Sequence, residues 1–204
     1  MQQRARETRR SVLLAAAAVF ERSGFAATRI QDILEEAEVT KGALYFHFES
    51  KEELAAAIVR EQSNWREAYA TDARWAVQQL IDLSFGFARA LREDPLVSAS
   101  VRLTLERNTF ASQDPAPYDE WLDAVADLLV TAQHAGELKP DADPSALASV
   151  IVSAITGAQL VSEAKSGRRD LDERLEQFWR WLVPSFVQGR LVRKLELSGL
   201  RHDA

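Results

Sequence analysis

The chain has no cysteine among its 204 residues. That excludes disulfides, thiolate metal sites and a thiol nucleophile. Its three histidines are scattered, so no metal-ligand spacing forms and no metal is expected. There is no Gly-rich phosphate loop and no histidine–carboxylate constellation, so neither an enzyme nor a cofactor is expected. No apolar run approaches the ~18 residues of a membrane span. The opening "MQQRARETRRSVLLAAAAVF" is basic and then apolar, in the order of a signal peptide. Yet Glu7 sits among the arginines, and the run continues into "ERSGF" without a small-residue cleavage site. A cytoplasmic protein with no membrane partner is the expectation. Strand signals, internal repeats and low-complexity segments are also missing.

What remains is helical periodicity. Hydrophobic residues make up 47% of the chain, enough for a full core or for a small head on a larger body. Val12, Ala16, Val19 and Phe20 form one stripe, with Gly24 as its stop. Thr28 is a candidate cap for a short second helix with Ile30, Ile33, Leu34 and Ala37 inward. Thr40 is a candidate cap for a third, very short one. Ser50 and Glu53 make a capping box that opens a fourth, expected to run through Leu54, Ile58 and Trp65. Further helices are expected through Val77 to Leu91, from Pro95 to Leu105, and from Tyr118 to Ala132, with "NTFASQDPAP" as a loop. Ser145 is the expected entry cap of a helix over 146–164. Another is expected over 171–187, followed by a tail that is amphipathic at best and expected to fray. The expectation is an all-α fold of about nine helices.

The formal charge is −6, but it is unevenly spread. Residues 1–50 hold seven Lys/Arg and seven Asp/Glu, while 51–204 hold 18 against 24. The neutral part contains "VTKGALYFHFESKEEL", where three aromatic rings alternate with Lys41, His47 and Lys51. Two short helices joined by about three residues have helix-turn-helix spacing. Leu44 and Phe48 can anchor the second inward while Lys41, Tyr45 and His47 project outward. Lysine charge, a phenol and an imidazole suit phosphate oxygens. Gly42 and Ala43 allow the backbone close to a groove floor. Thr28, Thr40 and Lys51 sit at helix N-termini, which favour phosphate. Periodicity alone leaves a solvated helical corner equally open.

The residues are more specific than the spacing. "TRIQDILEEAEVTKGALYFHFESKEEL" resembles the DNA-binding head of the TetR family of bacterial repressors, densely from Arg9 to Ile58. The resemblance implies a helix-turn-helix head over 1–48 and a helical ligand-binding and dimerisation body over 49–204. It implies a DNA face of Thr28, Arg29, Thr40, Lys41, Gly42, Ala43, Tyr45, His47 and Lys51. The family usually has glycine where this chain has Glu38. If that position needs φ > 0, glutamate costs about 1 kcal/mol there.

The form "VTKGALYFHF" followed by "SKEELA" is similar to the γ-butyrolactone receptors within that family. "PAPYDEWLDAV" and "SAITGAQLVS" resemble their pocket segments, which implies Trp121, Thr156 and Gln62 as ligand residues. Without the family, Trp121 lies on a regular apolar stripe and reads as core rather than pocket; the resemblance alone makes it a ligand residue. Thr156 and Gln159 interrupt an apolar run, where polar groups must find partners. Arg102 can face a ligand carboxylate or Glu106 one turn on.

The apolar arcs of 146–164 and 171–187 exceed what a small body covers. Ala154, Gly157, Ala158 and Trp179 are therefore expected in a two-fold homodimer interface, matched to a palindromic operator. The reading is a repressor of antibiotic or secondary-metabolite genes, released from double-stranded DNA by a lactone, butenolide or furan inducer. A multidrug-efflux repressor, or a regulator answering to an antibiotic or its intermediate, is the alternative.

Overall fold

The computed structural model describes residues 2–60, 70–106 and 116–199. Ten helices and no strand are found among them, and nine helices are seven residues or longer. The all-α expectation is met. Two compact units form, residues 1–65 with 90–117 and residues 66–89 with 118–204. This line differs from a division at residues 48 and 49.

The first unit holds α1 (Gln2–Ala27), α2 (Ile30–Ala37), α3 (Lys41–His47), α4 (Lys51–Arg60) and α6 (Pro95–Leu105). The physical reason for its extent is its core. Val12, Ala16, Val19 and Phe20 of α1 pack with Ile33, Leu44, Phe48, Leu54 and Ile58. Ala99 and Leu103 of α6, both fully buried, close the same cluster. Helix α1 with two short helices cannot bury enough apolar surface alone, so α4 and α6 complete the unit.

Local chemistry sets its turns. Gly24 interrupts α1 at φ 73° and ψ 171°, a region open essentially to glycine. The cap of α2 is Arg29 rather than Thr28. The Arg29 N–H donates to Asp32 at 3.0 Å, while the Thr28 hydroxyl donates back to the Gly24 carbonyl at 2.7 Å. Thr40 caps α3 as expected, accepting from the Ala43 N–H at 3.2 Å. Ser50 accepts from the Glu53 N–H at 3.0 Å, so the capping box holds on that side. Glu38 is left-handed, at φ 52° and ψ 39°.

The second unit holds most of α5 (Ala76–Glu93) and α7 (Ala116–His134), with α8 (Pro144–Ser166), α9 (Leu171–Phe186) and α10 (Gly189–Val192). Asp143, not Ser145, caps α8; its carboxylate accepts from the Ser145 and Ala146 N–H groups at 2.9 and 3.2 Å. Proline at the first helical position makes the residue before it the natural cap. The tail is docked. Gln78 of α5 accepts from the Glu196 N–H at 2.8 Å and donates to its carbonyl at 3.0 Å. Taken by length and composition, α8 is apolar enough to cross a membrane, with a mean hydropathy of 1.6 over its most apolar window. Its buried face instead packs Ile151, Ile155, Gln159 and Ser162 inside the protein. Trp65 and most of the expected loop "NTFASQDPAP" lie outside the described residues.

Candidate nucleic-acid interface and ligand site

The short helix α3 has one buried side chain, Leu44, and Phe48 follows it into the core. Everything else on α3 is left at or near the surface. Lys41, Gly42 and Tyr45 are exposed, and Ala43 and His47 are half-buried. The Lys41 ammonium lies 5.8 Å from the Tyr45 ring centroid, one turn on. A Cβ built on Gly42 meets nothing within 4 Å, so the glycine serves no packing need inside the chain. Arg29 and Thr40 are exposed at the entries of α2 and α3.

Two expected DNA contacts have other employment. Thr28 is 2% exposed, with its hydroxyl bound to Gly24. Lys51 donates to the Phe25 and Thr28 carbonyls, each at 2.9 Å, and its ammonium lies 4.2 Å from the Phe25 ring centroid. Both side chains hold the α1–α2 turn, because the break at Gly24 frees carbonyls that need donors. Phe46 is the residue that sequence reasoning did not assign. It is 80% exposed, its ring edge-on to His47 at 5.0 Å. With Tyr45 beside it, also exposed, it puts apolar ring surface on the outer side of α3. Its place between Tyr45 and His47 was the available signal.

The same turn is gripped by α6. Glu106 accepts from the Phe25 N–H at 2.7 Å. Arg102 donates to Glu106 at 3.0 Å and also to the Glu21 carbonyl. The structure thus pairs Arg102 with protein groups, as its spacing to Glu106 allowed.

In the second unit, Trp121 of α7 is half-buried and meets Phe87 of α5 edge-to-face, with centroids 4.8 Å apart. Thr156 is half-buried on α8. Gln62 lies outside the described residues. An open cleft of about 270 Å³ on the same unit is lined by Arg74, Trp75, Glu137, Arg190 and Lys194, and neither Trp121 nor Thr156 borders it.

The expected dimer residues divide. Ala154, Gly157 and Ala158 are half-buried, and a Cβ on Gly157 meets nothing within 4 Å. Trp179 is fully buried, its indole N–H donating to Ser84 at 2.8 Å, so it belongs to the unit's own core. The exposed tryptophan is Trp181, at 84%. Two residues along a helix turn a side chain by about 200°, so the two indoles face opposite ways. Val150 and Val161, each also exposed, extend the stripe through Ala154 and Gly157 at helical spacing.

Asp170 precedes α9. Hydrogen bonds from Arg174 first, then from Ser162 and Ser166, hold its carboxyl well below the ordinary carboxylate range. Among the described residues no group of His, Asp or Glu could hold a metal ion.

Comparison with known proteins gives these sites a setting. Residues 12–58 match the bacterial regulatory proteins of the tetR family, and residues 74–188 match the tetracyclin repressor-like C-terminal domain. The A-factor receptor protein of Streptomyces griseus is 41% identical over 97% of this chain and 70% of its own length. TylP, a TetR regulator from Streptomyces fradiae, is 41% identical in its crystal structure, covers 95% of this chain and 93% of its own, and superposes with a TM-score of 0.80. A crystal structure of a γ-butyrolactone receptor described as ArpA-like covers 96% of each chain, at 30% identity and a TM-score of 0.80. With both its head and its body matched, the chain belongs to the TetR family of transcriptional repressors, close to the A-factor and γ-butyrolactone receptors.

Proposed function

We propose that this repressor occupies a palindromic operator as a homodimer and is released from it by a small lactone-type signal, so that antibiotic or secondary-metabolite genes are expressed. Similarity that runs through 97% of the chain to a named signal receptor carries the reading, because it includes the body as well as the head. An efflux-type regulator would share the head, which any member of the family needs, without this continuous match through the body. Residence in the cytoplasm follows from the DNA partner.

In this reading, Arg29, Lys41 and Tyr45 contact the DNA backbone. Gly42 and Ala43 lie against base edges, and Phe46 supplies an apolar contact. Thr28 and Lys51 act from behind by fixing the turn. Trp121 and Phe87 form the apolar wall of the ligand site, with Thr156 and Gln62 supplying polar contacts. The dimer forms through Val150, Ala154, Gly157, Ala158 and Val161 of α8 and Trp181 of α9.

Release needs no contact between ligand and DNA. It needs unequal ligand affinity for the DNA-competent and released states. Moving from nearly all of one to nearly all of the other takes about 5.5 kcal/mol of differential binding. The test is a mobility shift on DNA from upstream of the protein's own gene, with and without a synthetic 2-acyl-γ-butyrolactone. A specific complex that tightens with falling salt and dissolves with lactone supports the proposal. A complex that ignores every lactone of the series removes the ligand class.

A further inference from the structure

The buried polar side chains of the second unit are nearly all accounted for. Gln78 bonds Asp82 and the Glu196 backbone. Ser84 accepts from Trp179, and Glu137 caps α5 by accepting from the Ala76 and Val77 N–H groups. Ser162 donates to Asp170, and Arg168 is ion-paired with Glu163 at 2.9 Å although its Nε lacks hydrogen-bond geometry. Gln159 differs. It is 2% exposed, and its Nε2 finds no acceptor among the described residues.

A buried amide donor without an acceptor is disfavoured, and a hydrophobic residue of similar size would remove the difficulty. Gln159 lies on the buried face of α8, among Ile151, Ile155 and Ser162. Thr156 stands three residues before it, within reach on the same side of the helix and half-buried. The two form a polar pair inside an apolar stretch, with the hydroxyl nearer the surface and the amide deeper.

We infer that Gln159 is a ligand-recognition residue whose Nε2 donates to a carbonyl oxygen of the inducer, so that the site selects ligands bearing a carbonyl at depth. This rests on the ligand class proposed above. An amide N–H discriminates well, because a ligand lacking the acceptor leaves the donor buried and unpaired. Apolar chains would then be graded weakly by length and carbonyl position strongly.

The test uses the full-length protein and three probes: a 2-acyl-γ-butyrolactone, the matched 2-alkyl lactone without the ketone, and the matched cyclic ether without the ring carbonyl. Binding to wild type, Gln159→Met and Gln159→Leu is measured by calorimetry, with thermal melting and operator binding as checks on folding. The inference expects wild type to lose tenfold or more in affinity for one of the two carbonyl-deleted probes. It expects Gln159→Met to bind the acyl lactone tenfold more weakly, to bind that deleted probe as wild type does, and to melt no lower. Equal wild-type affinity for all three probes overturns the inference without any variant, and so does undiminished binding by a folded Met or Leu variant. Failure of wild type to bind any of the three sinks the lactone reading itself, and the role of Gln159 falls with it.

Discussion

Replacing Gly24 by alanine tests the turn that sets α2 and α3. Gly24 sits at φ 73° and ψ 171°, where an L side chain costs about 1–3 kcal/mol. A Cβ there meets the two Glu106 carboxylate oxygens at 2.7 and 2.9 Å and an Arg102 nitrogen at 3.1 Å. The carboxylate must move, and it is the acceptor for the Phe25 N–H. Losing a hydrogen bond to a charged group costs about 1.5–3 kcal/mol. Together Gly24→Ala should cost roughly 2.5–6 kcal/mol, a large share of an ordinary domain's stability. Glu106→Ala should cost about 1.5–3 kcal/mol by itself. In that background Gly24→Ala should cost only the backbone part, roughly 1–3 kcal/mol, so the two changes should be non-additive. Urea unfolding by far-UV circular dichroism, at one protein concentration, gives all four corners of the cycle. A Gly24→Ala loss below about 1 kcal/mol, or strict additivity, would refute the account of the turn.

Glu38→Gly removes a left-handed glutamate at φ 52°. It should raise stability by about 0.5–1 kcal/mol, the gain reduced by the freer unfolded chain, and a thermal melt at or below that of wild type would contradict this. Asp170 has a depressed carboxyl in the folded state. Its contribution is therefore present above the unfolded value of about 3.9 and is lost as pH falls below it. Asp170→Asn should lower stability at pH 7 and flatten the acid limb of a stability–pH profile, whereas an unchanged limb argues against the pairing. Ala158→Glu, with Trp181→Glu as a second probe, should yield folded monomers in sedimentation velocity, because each puts an unpaired charge on the proposed interface. Dimers in both variants would move the interface elsewhere. Gly42→Ala meets no neighbour in the protein, so it should fold normally and still weaken operator binding; wild-type affinity would place the backbone of α3 away from the groove.

The helices were legible because each carries its own period and most carry their own stop or cap. Thr40 and Gly24 did in the structure what their residue types suggest. Thr28 and Lys51 did not, because their partners are carbonyls exposed by a backbone break whose geometry no local pattern states. The place of α6 in the first unit was equally hidden: Glu106 reaches Phe25 across 81 residues of chain. For the two tryptophans of α9, the wide apolar arc left open which face is core. Ser84 decides it by accepting from Trp179, which leaves Trp181 outside. Gln159 was visible as an interruption of an apolar run, but only packing shows that its Nε2 finds no acceptor among the described residues.

The central claim is that a ligand held against Trp121 governs operator occupancy. Fluorescence anisotropy of a labelled operator, titrated with a 2-acyl-γ-butyrolactone against wild type and Trp121→Ala, tests it most directly. Trp121 is half-buried against Phe87, so truncation removes the proposed ligand contact without emptying the core. The account predicts that both proteins bind the operator with like affinity, that lactone releases wild type, and that Trp121→Ala stays bound at tenfold higher lactone. Release of the variant at the same lactone concentration as wild type would contradict it.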